Sequence, residues 1–114
     1  MEETTPVRLE LGNTAITASH IREMYVIPLS DIESIELVEQ RADLPDILLR
    51  TNGTSLDNLN KGSFTVRGYG STFLLMQPRN PPFIIIVANK QAYILNDADG
   101  NVTREVYNSI TRSR

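Results

Sequence analysis

Short apolar segments separated by turn residues run along almost the whole of this chain. Segments 7 to 11 and 14 to 18 alternate apolar and polar side chains and flank Gly12-Asn13, a dipeptide typical of tight hairpins. Segments 63 to 67 and 71 to 76 are rich in β-branched and aromatic residues and flank Gly68-Tyr69-Gly70. The segments are too short and too evenly spaced for alternating strands and helices, so the pattern predicts antiparallel hairpins.

The remaining apolar segments predict further short strands. These segments are 23 to 27, 33 to 39, 47 to 51, 83 to 88 and 92 to 95. Between them, the polar stretch from Gly53 to Gly62 predicts the longest loop of the chain. We expect segments 33 to 38 or 83 to 88 to lie at a sheet edge, where another chain can pair with them.

The pattern changes near the C-terminus, where Val102, Val106 and Ile110 follow one another at steps of four, joined by Tyr107. This spacing predicts one amphipathic helix, which Asp99 or Asn101 can cap. The predicted fold class is α+β and mostly β: a sandwich or partly open barrel of about seven antiparallel strands with one C-terminal α-helix. A length of 114 residues suits a single domain, 1–114, with its core at about 7–111.

The amino-acid composition excludes several kinds of catalytic and metal-binding chemistry. The chain has no cysteine, so disulfides, thiolate nucleophiles and iron–sulfur clusters are excluded. Its one histidine, His20, cannot build a catalytic triad or a histidine-based metal site alone, and we expect it to be an exposed turn residue. Asp97 to Asn101 begins like a calcium loop, but the spacing fails further on and predicts a turn and a helix cap. We predict no catalytic residue, cofactor or metal, and therefore no enzyme.

Charge and hydropathy limit the partners. With 11 basic and 14 acidic side chains the net charge is -3, which makes nucleic acid a poor candidate. The longest apolar run, 83 to 88, is too short to cross a bilayer, and the acidic start of the chain does not resemble a signal peptide.

One set of residues stands out as a candidate binding surface, namely Lys61, Arg67, Tyr69 and Arg79. If the hairpin connections bring them to one side of the barrel, an anion, a lipid headgroup or an acidic peptide could bind there. The alternative is ordinary scattered surface charge. The six other aromatic side chains are expected in the core; these are Tyr25, Phe64, Phe73, Phe83, Tyr93 and Tyr107.

The order of elements resembles the pleckstrin-homology-like (PH-like) fold, in particular the bacterial PH domains attached to membrane-protein segments. The likeness covers about residues 7 to 111. It is carried by the following segments: Ile27-Pro28-Leu29-Ser30-Asp31-Ile32, Ile35-Glu36-Leu37, Arg50-Thr51-Asn52-Gly53, Gly62-Ser63-Phe64, Gly68-Tyr69-Gly70, Phe83-Ile84-Ile85-Ile86 and Tyr93-Ile94-Leu95-Asn96. All are turn or core positions, so they bear on fold more than on function.

The chain departs from that family in two ways. Its first hairpin connection, Leu11-Gly12-Asn13, lacks the lysines and arginines that lipid-binding PH domains carry there. The transmembrane helices usual in the bacterial group are also missing, so we expect a stand-alone version or a trimmed one.

The resemblance implies a non-catalytic interaction module that binds protein partners, including copies of itself. Membrane-surface or small anionic ligand binding through Lys61, Arg67, Tyr69 and Arg79 is the alternative. The expected location is the cytoplasm, and the alternative within it is the inner face of the membrane.

Overall fold

The structure, a computed structural model, describes residues 4–114. It contains nine strands and one α-helix in that range. The strands are β1 (Arg8–Leu11), β2 (Ala15–His20), β3 (Glu23–Pro28), β4 (Ile32–Val38), β5 (Ile47–Leu56), β6 (Leu59–Val66), β7 (Gly70–Met76), β8 (Phe83–Ala88) and β9 (Gln91–Leu95), and the helix is α1 (Gly100–Arg112). Short 3-10 turns occupy Leu29–Asp31 and Arg41–Asp43.

The first three strands form a small antiparallel sheet in the order β1-β2-β3. Its register has no bulge: β1 pairs with β2 from Arg8↔Ser19 to Leu11↔Ile16, and β2 pairs with β3 from Ala15↔Pro28 to His20↔Glu23. Alternation along β2 places Ile16, Ala18 and His20 on the buried face. The predicted first hairpin and third strand are therefore confirmed.

The other six strands form one sheet in the order β4-β8-β9-β7-β6-β5. All its neighbouring pairs are antiparallel except β7 and β9, which are parallel from Thr72↔Ala92 to Leu75↔Leu95. After β7 the chain crosses to β8, which pairs with β4, and the β8–β9 hairpin then places β9 between β8 and β7. Strand β9 therefore runs parallel to β7. Local hydrophobic periodicity does not indicate which distant strands pair, so it does not predict this arrangement.

The main core lies between the two sheets and under the helix. The three-stranded sheet contributes residues such as Leu9, Ile16 and Ile27, and the six-stranded sheet contributes Ile84 and Ile86, all at most 4% exposed. The buried stripe of α1, whose residues are Thr103, Val106 and Ile110, closes this core. Asp99 caps the helix by accepting a hydrogen bond from the Asn101 backbone N–H at 2.9 Å, as predicted.

A second apolar cluster occupies the opposite face of the six-stranded sheet. It includes Phe64, Leu74, Ile85 and Ile94, with Leu44 packed against it. Because β4 and β5 are the two edges of this sheet, the connection between them must pass across it, and Leu44 lies in that connection. The six-stranded sheet is therefore apolar on both faces, and the two sheets are not closed into a barrel.

The fold class is confirmed as mostly β with one C-terminal helix, but several details of the prediction were wrong. Each of the nine apolar segments predicted as strands forms one, so only the summary count of about seven was too low. The loop expected from Gly53 to Gly62 is mostly strand, because β5 runs to Leu56 and β6 begins at Leu59. Segment 33 to 38 does lie at a sheet edge, in β4, whereas segment 83 to 88 is β8, between β4 and β9. Within residues 4–114, no helix is long and apolar enough to cross a membrane.

Candidate functional site

The four residues of the predicted binding surface do not converge in the structure. Arg67 and Tyr69 lie in the β6–β7 turn. Arg79 follows β7, and its backbone N–H donates a hydrogen bond to the side-chain oxygen of Asn58 in the β5–β6 turn. These two turns flank the eight residues of β6, so at a rise of about 3.3 Å per residue they are about 26 Å apart. Lys61 lies in β6, with its side chain only 10% exposed.

Each of the three cations in that set contacts a carboxylate. Lys61 Nζ is 3.0 Å from Glu23 Oε2, Arg67 Nε is 3.3 Å from Asp46 Oδ2, and Arg79 pairs with Asp57. The pairing compensates their charge locally, so these residues do not create a concentrated positive field of the kind that attracts phosphate groups.

The structure instead groups Lys61 with two residues of the β2–β3 hairpin. His20 ends β2, Glu23 begins β3, and the two are paired in the antiparallel register. His20 Nδ1 lies 3.7 Å from Glu23 Oε1, and the imidazole side chain is 0% exposed. The expectation of an exposed turn histidine was wrong, because β2 extends through His20 and its alternation points this residue inward with Ile16 and Ala18.

The Glu23–Lys61 ion pair joins the two sheets. Burial opposes ionisation of Glu23, but the hydrogen bond from Lys61 and the positive charge of Lys61 outweigh it, so the pKa of the Glu23 carboxyl lies below its usual value. A shift of either strand would leave a poorly hydrated charge without its partner, so the pair opposes sliding of one sheet on the other.

Two adjacent pockets share this ion pair. One, of about 370 Å³, is lined by Ile21, Arg22, Glu23 and Lys61. The other, of about 200 Å³, is lined by Glu23 and Lys61 together with Gly62 and the β5 segment 52 to 54. Together they form a depression between β3 and β5 with β6 as its floor, which we call the β3–β5 trough.

An aromatic cluster lies further along the inner face of β3. The ring centroids of Tyr25 and Phe73 are 5.5 Å apart, and Tyr93 lies 5.8 Å from Tyr25 and 5.9 Å from Phe73. Burial, and then the negative charge of Glu23, raise the pKa of the Tyr25 hydroxyl. These three aromatic residues are only partly buried, whereas Phe64 and Phe83 are fully within the core.

Exposed apolar side chains mark two places on the described surface. All seven large hydrophobic residues exposed in residues 4–114 belong to β5 or to the β2–β3 hairpin: Ile47, Leu48, Leu49, Leu56, Ile21, Met24 and Val26. Both β3 and β5 are edge strands. Sequence analysis missed these surfaces, because a short run such as 47 to 49 is also typical of a buried strand.

Neither the arrangement of possible metal ligands nor the comparison with known proteins assigns a function to the site. Among the described residues, no group of three histidine, aspartate or glutamate side chains is placed to hold a metal ion. Comparison of the chain with protein families, with curated proteins and with solved structures found no match.

Proposed function

We propose that this chain is a non-catalytic, PH-like interaction module that binds other proteins through strand β5, with a second copy of itself as the first partner. The observation that carries the proposal is the exposure of the apolar triplet formed by Ile47, Leu48 and Leu49. These residues are 41%, 50% and 60% exposed on an edge strand of ten residues. Contiguous exposed apolar residues on an unpaired edge favour association.

The PH-like assignment rests on the architecture together with the resemblance. A C-terminal helix that packs on a mostly β two-sheet core agrees with it. Nine strands and the parallel β7–β9 pair depart from the simple seven-strand antiparallel arrangement. The cytoplasmic location, at or away from the membrane face, belongs to the same proposal and rests on the family resemblance alone.

The irregular register of β5 favours association through its side chains and disfavours a long ladder of backbone hydrogen bonds. Its pairing with β6 shifts register between Ile47 and Leu49 and again between Arg50 and Asn52. Bulges of this kind twist an edge and interrupt continuous pairing with another strand. The triplet lies at the first irregularity, so its side chains, and not ten residues of backbone, offer the contact.

Charges on either side of the triplet complement each other across a two-fold axis. If two β5 strands meet antiparallel about Leu48, Asp46 of one copy lies opposite Arg50 of the other, and Ile47 lies opposite Leu49. Closed two-fold dimers use the same surface on both subunits, and this segment is self-complementary in that sense. Asp46 is 75% exposed beside Arg67, which leaves its carboxylate accessible to a second cation.

The test is the solution mass by light scattering over a tenfold range of concentration. We expect the wild-type chain to approach twice its 12.8 kDa mass and Leu48→Lys to remain a monomer. Val26→Lys is the matched control, because it places the same charge on an exposed apolar site of β3. Arg50→Asp should weaken the dimer, and adding Asp46→Arg should restore it.

A wild-type monomer at every concentration overturns self-association. A dimer that survives Leu48→Lys but is lost in Val26→Lys overturns the assignment to β5.

A further inference from the structure

The β3–β5 trough has features that self-association through β5 does not use. Its larger pocket lies beside the β2–β3 turn, where Arg22 is exposed. Among residues 4–114, no ion pair or side-chain hydrogen bond in the structure involves Arg22. With Lys61 held by Glu23, the lining of that pocket therefore carries a net charge of about +1 in a chain whose net charge is -3.

Strand β3 offers an edge suited to pairing. It pairs with β2 in a regular register over its full length, and in the described chain no strand pairs with its other edge. Unlike β5, it has no bulge to twist that edge. Met24 and Val26 alternate along it on the outer face at 64% and 57% exposure.

The direction of a strand added to β3 brings one end of that strand to the positively charged pocket. A strand added antiparallel to β3 runs from Pro28 toward Glu23, so its C-terminal end lies at the pocket that contains Arg22. Arginine binds carboxylates with paired N–H donors. A chain that ends there places its terminal carboxylate against the guanidinium group, and residues opposite Met24 and Val26 lie on the same face as those side chains.

We propose that the β3–β5 trough binds the extended C-terminus of a partner protein, with its free α-carboxylate at Arg22 and apolar side chains at alternate positions against Met24 and Val26. The backbone ladder along β3 supplies affinity that is independent of sequence. The carboxylate fixes the register, and the apolar alternation selects the partner. The proposal does not depend on self-association through β5.

The experiment uses a bead library of hexapeptides that are randomised at all positions and carry free C-termini. The wild-type chain selects from the library, and fluorescence polarisation then measures the enriched peptides with a free or an amidated C-terminus. We expect enrichment of alternating apolar residues, and amidation to weaken binding about tenfold or more, as for loss of a charged hydrogen-bonded pair.

Variants of the chain locate the site. Arg22→Gln should weaken binding of the free-carboxylate peptides to the level of their amides, whereas Arg41→Gln, the same change at another exposed arginine, should leave binding unchanged. Met24→Lys should weaken binding of both peptide forms. Circular dichroism and the thermal midpoint establish that each variant is folded.

Failure to enrich any peptide overturns the proposal, as does equal binding of amidated peptides or full binding by Arg22→Gln. Peptide binding that is lost in Leu48→Lys but kept in Arg22→Gln assigns the site to β5 instead. Because peptide binding at β3 and solution mass set by β5 are measured separately, a failed dimer test and a failed peptide test are distinguishable.

Discussion

The carboxylate of Asp97 accepts a hydrogen bond of 2.8 Å from the backbone N–H of Leu9. Asp97 is 2% exposed, lies between β9 and α1, and also accepts a bond from the Asp99 backbone N–H. Ala98 N–H donates in turn to the Val7 carbonyl. The segment that leads into the helix is thereby fixed to the first strand of the smaller sheet.

Replacing Asp97 by alanine should lower the free energy of unfolding. The change leaves the buried Leu9 N–H without its acceptor, and such a loss costs about 2 kcal/mol. Urea denaturation at pH 7 measures it. Asp99→Ala, which removes an exposed helix cap, is the comparison and should cost about 1 kcal/mol. Equal stability of Asp97→Ala and the wild type would show that the carboxylate does not hold β1.

The Glu23–Lys61 ion pair should make stability depend on pH. The pKa of Glu23 is lower in the folded chain than its ordinary value of 4.5. Its contribution is therefore complete above that value and is lost as the pH falls through the folded pKa. Lys61→Met keeps the length of the side chain but removes the charge, and should cost about 1–2 kcal/mol at pH 7 for this partly buried pair.

The cost of Lys61→Met should shrink as the pH falls from 7 to 3, because protonation of Glu23 removes the negative charge with which the lysine pairs. Urea denaturation at the two pH values checks this. Arg67→Met is the control, because its pair with Asp46 is exposed on both sides and should contribute little at either pH. A cost of Lys61→Met that is the same at both pH values would mean that the lysine stabilises the fold by packing alone.

Gly100→Ala should destabilise the protein although alanine is ordinarily the better helix residue. A Cβ at Gly100 would lie 2.4 Å from the Pro81 carbonyl oxygen and 3.1 Å from Pro82 Cδ. The backbone must move to admit it, which costs about 1–3 kcal/mol in a packed site. Gly12→Ala is the control, because its nearest contact would be an ordinary 3.5 Å to the Ala15 carbonyl. Thermal denaturation of both variants checks the sign.

The parts of this fold that were predictable from sequence are those fixed by neighbours in the chain. The hairpin at Gly12-Asn13, the hairpin at Gly68-Tyr69-Gly70 and the Asp99 helix cap all follow from local turn and capping chemistry. The parallel β7–β9 pair and the burial of Lys61 depend on which distant strands meet. Local periodicity carries no information on that choice.

Two wrong expectations have specific causes. The polar stretch from Gly53 to Gly62 predicts a loop, but Gly53 lies in β5, where a Cβ would come within 2.8 Å of the Phe64 ring. The glycine serves close packing and not a turn. The composition alone predicts an exposed turn residue at His20, although extending the alternation of Ile16 and Ala18 by one step predicts its inward direction.

Ile21→Asn should raise stability while it removes an exposed apolar side chain from the edge of the β3–β5 trough. Ile21 has a φ of +47°, a backbone conformation that β-branched residues rarely adopt, and its side chain is 59% exposed. Asparagine tolerates that conformation, so the change should stabilise the fold by about 0.5–1 kcal/mol. Chemical denaturation gives the stability, and Arg22→Asn at the next turn position is the control. A loss of stability in Ile21→Asn would show that the isoleucine side chain packs well enough to outweigh the strain. A gain that accompanies weaker binding of the free-carboxylate peptides would indicate that the strained isoleucine serves binding at the cost of stability.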